Sequence, residues 1–562
     1  MSRSNDDSGT EELRGARPAM RPSAALKFRS GLTIADLALR KAAATPQRVA
    51  VREADGSQTT FAALLTEAQA IAAGLQRLGI QAGDTISFQL PNWREAVAIN
   101  VAAAMLGLRV NPITPIYRGA ELRIILADAR SKVLFIPEVF RSINYQLMID
   151  DLRAGLPELR HVLSVRGKGE PERSIEWLRA GSRAEPRLAK VDPNSSKLLL
   201  FTSGTTGRAK GVIHSHESME CATMSAVKYW SLEADDVMLM ASPVTHITGY
   251  AFGLELPFLC DATVLLMERW DAASAVQLID QVRATASIGA TPFLKELIDE
   301  AEHHGSRLPS LRLFACGGAA VPPELILRAA RVTDRCRAFR VYGATEIPLV
   351  TKGFIEANQR NLAAETDGRV VGYDVKIVDA LGASMPRGRI GEVRARGPAM
   401  LVGYTDPSEF DKSTDEEGFF CTGDLGKLTD DDAIVVTGRL KDIIIRGGEN
   451  LSPVEIENAL ERHPAIQEAA VVAMPHPRLG EGVAAFVRAH EGVEVPSLTE
   501  IADFLDDIGL ARQKFPERVE YVDDFPRTAS GKIRKDQLRD ALRRPLVISS
   551  DGDRSLGGVK TE

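Results

Sequence analysis

Leu198–Leu199–Leu200–Phe201 runs directly into Thr202–Ser203–Gly204–Thr205–Thr206–Gly207–Arg208–Ala209–Lys210–Gly211. Four apolar residues followed at once by glycines and hydroxyls predict a β-strand ending in a tight loop. Gly204, Gly207 and Gly211 permit sharp turns and close approach of the backbone to an anion. The serine and threonine hydroxyls can donate to phosphate oxygens, and Lys210 adds a positive charge. The loop is not a Walker A motif, which needs a glycine just before the lysine and a hydroxyl just after it; those positions are Ala209 and Gly211. A loop of this composition also occurs as a linker. The strand before it and the lysine within it favour phosphate.

The same design occurs three more times. Ala286–Gly289 runs into Ala290–Thr291–Pro292, Leu311–Phe314 into Gly317–Gly318, and Phe339–Val341 into Tyr342–Gly343–Ala344–Thr345. From about Leu32, helical patterns alternate with short apolar runs, which predicts an α/β fold with parallel sheets. In such sheets ligands sit beyond the carboxyl ends of the strands, so the four loops are expected to converge on one site. A second, α+β unit is predicted from about Lys441. Its strands are expected at Asp442–Arg446, Ala469–Ala473, Val483–Val487 and Val519–Val522. Its helices are announced by Ser452–Pro453–Val454–Glu455 and Ser497–Leu498–Thr499–Glu500, both with the spacing of a capping box. Gly480–Glu481–Gly482–Val483–Ala484–Ala485 mimics a dinucleotide fingerprint, but Pro475 and Pro477 stand where a strand is required, and that reading is set aside.

The bulk composition agrees with several packed units. The chain has 562 residues, 44% hydrophobic and 26% charged, too long for one core. A formal net charge of −7 gives no reason to expect nucleic acid or an anionic membrane as main partner. Five cysteines, without Cys-x-x-Cys spacing, fit a reducing compartment and suggest no metal centre. The most apolar run, around Ala96 to Leu108, is too short to span a bilayer, and residues 1–28 lack the apolar segment of a signal peptide. A cytoplasmic protein is the expectation, with residues 1–28 and 546–562 as flexible tails and no integral membrane segment.

The loop Thr202–Gly211 resembles the phosphate loop of the adenylate-forming superfamily, which comprises acyl-CoA synthetases, peptide-synthetase adenylation domains and beetle luciferases. Tyr342–Gly343–Ala344–Thr345–Glu346, Thr422–Gly423–Asp424, Gly438–Arg439–Leu440–Lys441–Asp442 and Pro526–Arg527–Thr528–Ala529–Ser530–Gly531–Lys532 follow in that family's order and rough spacing. The resemblance covers roughly Leu32 to Arg544. It implies a large domain over 29–440, built of doubly wound α/β subdomains and a barrel-like subdomain, and a small mobile lid over 441–545. The family's usual proline before the loop lysine is replaced by Ala209, which removes no phosphate ligand.

Further roles come with the resemblance. ATP would be held by Thr202, Ser203, Gly204, Thr205, Thr206, Gly207 and Lys210 at its phosphates and by Thr345 at the α-phosphate. Tyr342 and Gly343 with Gly317–Gly318–Ala319 would embrace adenine, and Asp424 with Arg439 the ribose. Glu346 would help hold Mg2+, a cation suited to carboxylate and phosphate oxygens. Lys532 would be the catalytic lysine of adenylation, Lys441 the hinge, and Gly447–Gly448 the turn lining the path of coenzyme A in the second step. Ser530 and Gly531 complete the lysine motif.

Acid selection is expected in Ser242–Tyr250, with a pocket bordered by His246, Ile247, Gly249, Tyr250 and Phe252 and given room by Gly289 and Gly317. Amino-acid-activating relatives carry an aspartate where this chain has His246, and a buried amine without a partner is costly, so an amino acid is not expected. His246 taken alone also reads as a packed core histidine. The segments Met240–Tyr250, Ala290–Leu294 and Ile443–Asn450 resemble the branch of cyclohexanecarboxylate-CoA ligases and short- to medium-chain fatty acyl-CoA synthetases. The resemblance thus implies an AMP-forming carboxylate–CoA ligase for a small or medium aliphatic or alicyclic acid, acting as monomer or homodimer. An aryl-CoA ligase, an enzyme loading a carrier protein, and a non-catalytic nucleotide sensor on the same fold are the alternatives.

Overall fold

The structure is a computed structural model describing residues 29–180, 185–202, 209–528 and 532–543. The predicted tails, Ser203 to Arg208 of the phosphate loop, and Ala529 to Gly531 lie outside the described residues.

Two seven-stranded sheets dominate. In the first, Arg337–Val341, Leu313–Gly317, Ala286–Gly289, Val237–Met240, Thr263–Leu266 and Val49–Glu53 lie side by side and parallel, with Gln58–Thr60 antiparallel at one edge. The chain makes Val237–Met240, adds Thr263–Leu266 on one side, then places the next three strands on the other. Its direction of winding therefore reverses between Val237–Met240 and Ala286–Gly289, and the carboxyl ends of these strands open a crevice. The second sheet repeats the plan. Thr85–Phe88 lies between Arg109–Pro112 and Ser131–Pro137, with His161–Val165 beyond, and Ser196–Thr202, Lys210–Ser215 and Gly403–Tyr404 extend the opposite side.

Helix Arg94–Leu106 is buried on every side, as the apolar run there requires, and Gly107 at φ 67° ends it. Asp374–Val378, Gly391–Arg396, Phe420–Leu428 and Ile434–Arg439 form a four-stranded antiparallel sheet, in the place of the expected barrel-like subdomain. It has its own core of Ile377, Val393, Ala395, Phe420 and Ile434, packed with Ile347 and Val350.

The small α+β unit is built on Ile466–His476 and Gly480–Ala489, joined by Ile444–Arg446, Glu449–Leu451 and Arg518–Tyr521. Residues 469–473 are all apolar because both faces of this sheet are covered. Ile456, Leu460, Ile501 and Leu505, from helices Pro453–Leu460 and Leu498–Asp507, pack with Val471 on one face. Phe525 and Leu538 pack with Val472 on the other. Ser452 and Ser497 cap those two helices as their spacing predicts. A strand, Ile466–His476, does run through Pro475, contrary to the ground for setting the fingerprint aside, but Gly480 opens a second strand rather than a helix, so the segment is one arm of a β-hairpin. Among the described residues no helix is long and apolar enough to cross a membrane.

Candidate active site

Three of the four predicted strand-to-turn segments are neighbours in the first sheet, so their loops open at one edge. One boundary differs. The strand begins at Leu313 and runs through Gly317, which pairs with Val341 instead of starting the turn. A side chain at Gly317 would lie 2.3 Å from the Val341 carbonyl oxygen, so glycine is what lets these strands close up. Gly318, at φ 86°, makes the turn, and Ala319 after it is exposed.

From the next strand, Tyr342 opens a loop closed by Thr351, whose hydroxyl accepts from the Tyr342 amide at 2.7 Å. Gly343 sits where a Cβ would strike the Leu349 amide at 2.5 Å. The Tyr342 hydroxyl donates to Asp424 Oδ2 at 2.7 Å, and Arg439 Nε lies 2.8 Å from Oδ1. Asp424 and Arg439 face each other because Phe420–Leu428 and Ile434–Arg439 pair antiparallel in that register. The sequence motifs carrying Tyr342, Asp424 and Arg439 thus meet in one chain of contacts.

Thr345 and Glu346 lie half-buried in the same loop. Burial raises the Glu346 carboxyl, opposed by the Tyr404 hydroxyl, which donates to Oε1 at 3.2 Å, and by the positive charges of Arg439 and Lys532. The Thr345 carbonyl accepts from His214 Nε2 at 2.7 Å. A carbonyl can only accept, so Nε2 carries the proton, and Nδ1 faces the Ser218 hydroxyl at 3.1 Å. His214 is fully buried and its pKa falls to about 4 through burial, so it stays neutral. Nothing in the sequence distinguished His214. Only the alternation of a strand placed it inward, and the bond crosses between the two sheets.

Lys210, at the end of the phosphate loop, is paired with Glu409 on helix Pro407–Ser413. The neighbouring Thr405 amide donates to the Gly211 carbonyl, and Val212 pairs with Tyr404, the partner of Glu346. Thr202 ends the strand before the loop.

Lys532 reaches this site from the small unit. Its backbone is fastened to Thr528 by two hydrogen bonds of 2.7 and 3.1 Å. A Cβ built on Gly318 would lie 4.0 Å from Lys532 Cε. Burial and the repulsion of Arg439 lower the ammonium pKa, while Asp424 and Glu346 pull it back up. His246 falls to about 4, chiefly by burial and also by the charge of Lys532.

His246 follows strand Val237–Met240 at the crevice where the winding reverses. The amide of His246 is held by the Pro243 carbonyl at 2.9 Å. Several expected pocket residues have other roles. A Cβ on Gly249 would lie 2.0 Å from the Pro243 carbonyl oxygen, so this glycine allows the chain to pack on the loop rather than enlarging a pocket. At Gly289 the space is taken by the Phe293 ring, 2.7 Å from such a Cβ. Tyr250 is fully buried and donates to Asn100 Oδ1 at 2.6 Å, and Phe252 stacks on Trp230 at 5.5 Å in the core. Ile247 is buried. The room predicted at Gly249 and Gly317 is used for close backbone packing, and that at Gly289 by the Phe293 ring.

Lys441 is exposed in the short turn Leu440–Asp442. Gly447 and Gly448, at φ 59° and 89°, form the two-residue turn between Arg446 and Glu449. Both are exposed while Lys532 points into the site. Among the described residues no three His, Cys, Asp or Glu side chains gather as a metal site.

Comparison with known proteins places this geometry. The profile of AMP-binding enzymes matches residues 39–405, and that of the AMP-binding enzyme C-terminal domain matches 455–532. A medium-chain fatty-acid–CoA ligase of Escherichia coli strain K12 is 34% identical over 521 residues, covering 92% of this chain and 91% of the relative. A 2,3-dihydroxybenzoate-AMP ligase of Bacillus subtilis strain 168 is 31% identical over 523 residues, covering 92% and 95%. The ATP-bound crystal structure of MatB from Rhodopseudomonas palustris superposes with a TM-score of 0.80 at 28% identity, over 91% of this chain and 99% of that one. The chain belongs to the AMP-binding enzyme family, and it is an AMP-forming ligase.

Proposed function

We propose that the protein joins a small or medium aliphatic or alicyclic carboxylic acid to coenzyme A through an acyl-adenylate. The observation that carries this reading is Lys532, a cation brought by the small unit to Gly318, Glu346 and the Asp424–Arg439 pair. In the first step a carboxylate oxygen bonds to the α-phosphorus of ATP while the bond to the β-phosphate oxygen breaks, and pyrophosphate leaves. Such a step needs positioning and charge neutralisation more than acid–base chemistry. Tyr342 with Gly317 to Ala319 suits adenine, Asp424 suits the ribose hydroxyls, and Lys210 suits the outer phosphates. Lys532 suits the substrate carboxylate and bridging oxygen, where negative charge shifts in the transition state.

Glu346 is a half-buried carboxylate whose Oε1 accepts from the Tyr404 hydroxyl, an oxygen environment. That donor set fits Mg2+, which keeps water and phosphate oxygens as its other ligands. Bound there, the ion would neutralise phosphate charge.

In the second step the thiol sulfur bonds to the acyl carbon, the bond from that carbon to the phosphate oxygen breaks, and AMP leaves. The thiol proton leaves to solvent, and His246, kept neutral by burial, would border the reacting acyl group. The exposed Gly447–Gly448 turn supports a lid that swings between the steps, with Lys441 as hinge. His246 in place of a carboxylate supports an acid without an amine. The relatives named above act on a medium-chain fatty acid and on 2,3-dihydroxybenzoate, so an aromatic acid is the second reading.

A panel of carboxylic acids with ATP and coenzyme A, read as AMP release, tests the proposal. Aliphatic or alicyclic acids of small to medium size are expected to respond best. Acid-dependent AMP release that requires an added carrier protein, or none with any acid, would sink it.

A further inference from the structure

The loop that carries His246 is gripped by a side chain from the other sheet. Asn92 follows strand Thr85–Phe88, just before helix Arg94–Leu106, and is 5% exposed. Its Nδ2 donates to the Met240 carbonyl at 3.3 Å and to the Ser242 carbonyl at 3.0 Å. Its Oδ1 accepts from the Val244 amide at 2.8 Å. One amide thus satisfies three backbone groups of a buried loop, each of which would be costly to leave unmade. Pro243 lies between two of the gripped residues, and its carbonyl holds the His246 amide at 2.9 Å. The Ser242 hydroxyl adds an anchor across the crevice, donating to the Ile288 carbonyl at 3.2 Å. The base of Asn92 is itself fixed, since the Trp93 indole next to it donates to Glu268 at 2.6 Å.

We infer that Asn92 is a positioning residue for acid selection, acting through residues 242–244 to set where His246 and the wall of the acyl pocket stand. The inference rests on the reading of the crevice as the acid site. It separates Asn92 from the nucleotide side, where Tyr342, Asp424 and Arg439 depend on other elements.

Asn92→Ala, Asn92→Ser and Asn92→Asp test it. Aspartate keeps the size and the acceptor for Val244 but loses both donors and turns a charge toward two carbonyl oxygens. For each variant, kcat/KM is measured for a series of acids that the wild-type protein uses, together with the KM for ATP. A ratio of kcat/KM between two acids is independent of how much of the sample is folded. The preference between the best and the poorest acid should flatten about fivefold or more in all three variants, with the KM for ATP within about twofold of wild type. Unchanged ratios, or an Asn92→Asp protein that selects like wild type, would overturn the inference. So would failure of all three variants to yield folded protein, which would assign Asn92 to folding alone. A wild-type protein that releases AMP with no acid would instead defeat the proposed function, and the two failures are distinct.

Discussion

Lys532, with its proposed role in adenylation, and His214, which holds the Thr345 carbonyl, can each be tested alone. Removing a cation aimed at charge developing in the transition state costs on the order of 10²–10³-fold in rate. Lys532→Ala should therefore slow acyl-adenylate formation by that factor, yet leave thioester formation from supplied acyl-AMP largely intact. Equal losses in both half-reactions, followed by separate rapid-mixing assays, would remove the role given to Lys532. His214 makes a thermodynamic prediction. With His216 it is buried neutral, the pKa values lying at about 4 and about 2. In the unfolded chain both take up a proton near the usual histidine value of about 6.5. Below that pH the unfolded state binds more protons than the folded one, so stability is full above about 6.5 and falls as pH drops, by up to about 1.4 kcal/mol per pH unit for each residue. Thermal melts from pH 7 to pH 5 should show this decline, and the gap between wild type and His214→Gln should narrow on acidification. A gap independent of pH would contradict the burial of a neutral ring.

Among the elements, the Arg446–Glu449 hairpin is the one whose conformation has a functional reading. Both turn glycines have positive φ, and a β-branched residue there costs about 1–2 kcal/mol. Gly448→Val should slow transfer to coenzyme A by roughly tenfold, the factor that energy corresponds to, while adenylation persists. A variant with full thioesterification would exclude the turn from that step. The strand leading into Gly447 was legible beforehand, as were the Ser452 and Ser497 helix starts, because caps are written in adjacent residues, while its partner Glu449–Leu451 was not. Strand cores were legible too, with boundaries a few residues off, as at Leu313. The pocket was not. Gly249, Gly289 and Gly317 looked like room, but a glycine in a sequence does not reveal whether a ligand, a ring or a neighbouring backbone fills the space. Asn92 and His214 were equally silent, since their partners lie 150 and 131 residues away and only the folded chain brings them together.

On the scale of the whole molecule, the residues proposed for the nucleotide are set by three separate sheets, and the lysine comes from the small unit. The approach of Lys532 to the others depends on how the small unit is seated, whereas Tyr342, Asp424 and Arg439 are held within the large unit. Lys441→Pro would fix φ at the proposed hinge and restrict Leu440 as well. Adenylation should stay within about threefold of wild type while thioester formation falls about tenfold or more, as expected when a closure between steps is blocked. A variant equally fast in both steps, in single-turnover assays, would place the hinge elsewhere. A further property follows from strand Lys210–Ser215. It carries Lys210 at one end and His214 four residues on, and His214 grips the Thr345 carbonyl. A strand paired on both sides keeps the spacing of its two ends fixed. One strand therefore ties the place of Lys210 to that of the Thr345 carbonyl, so that two loops from different sheets share a single ruler.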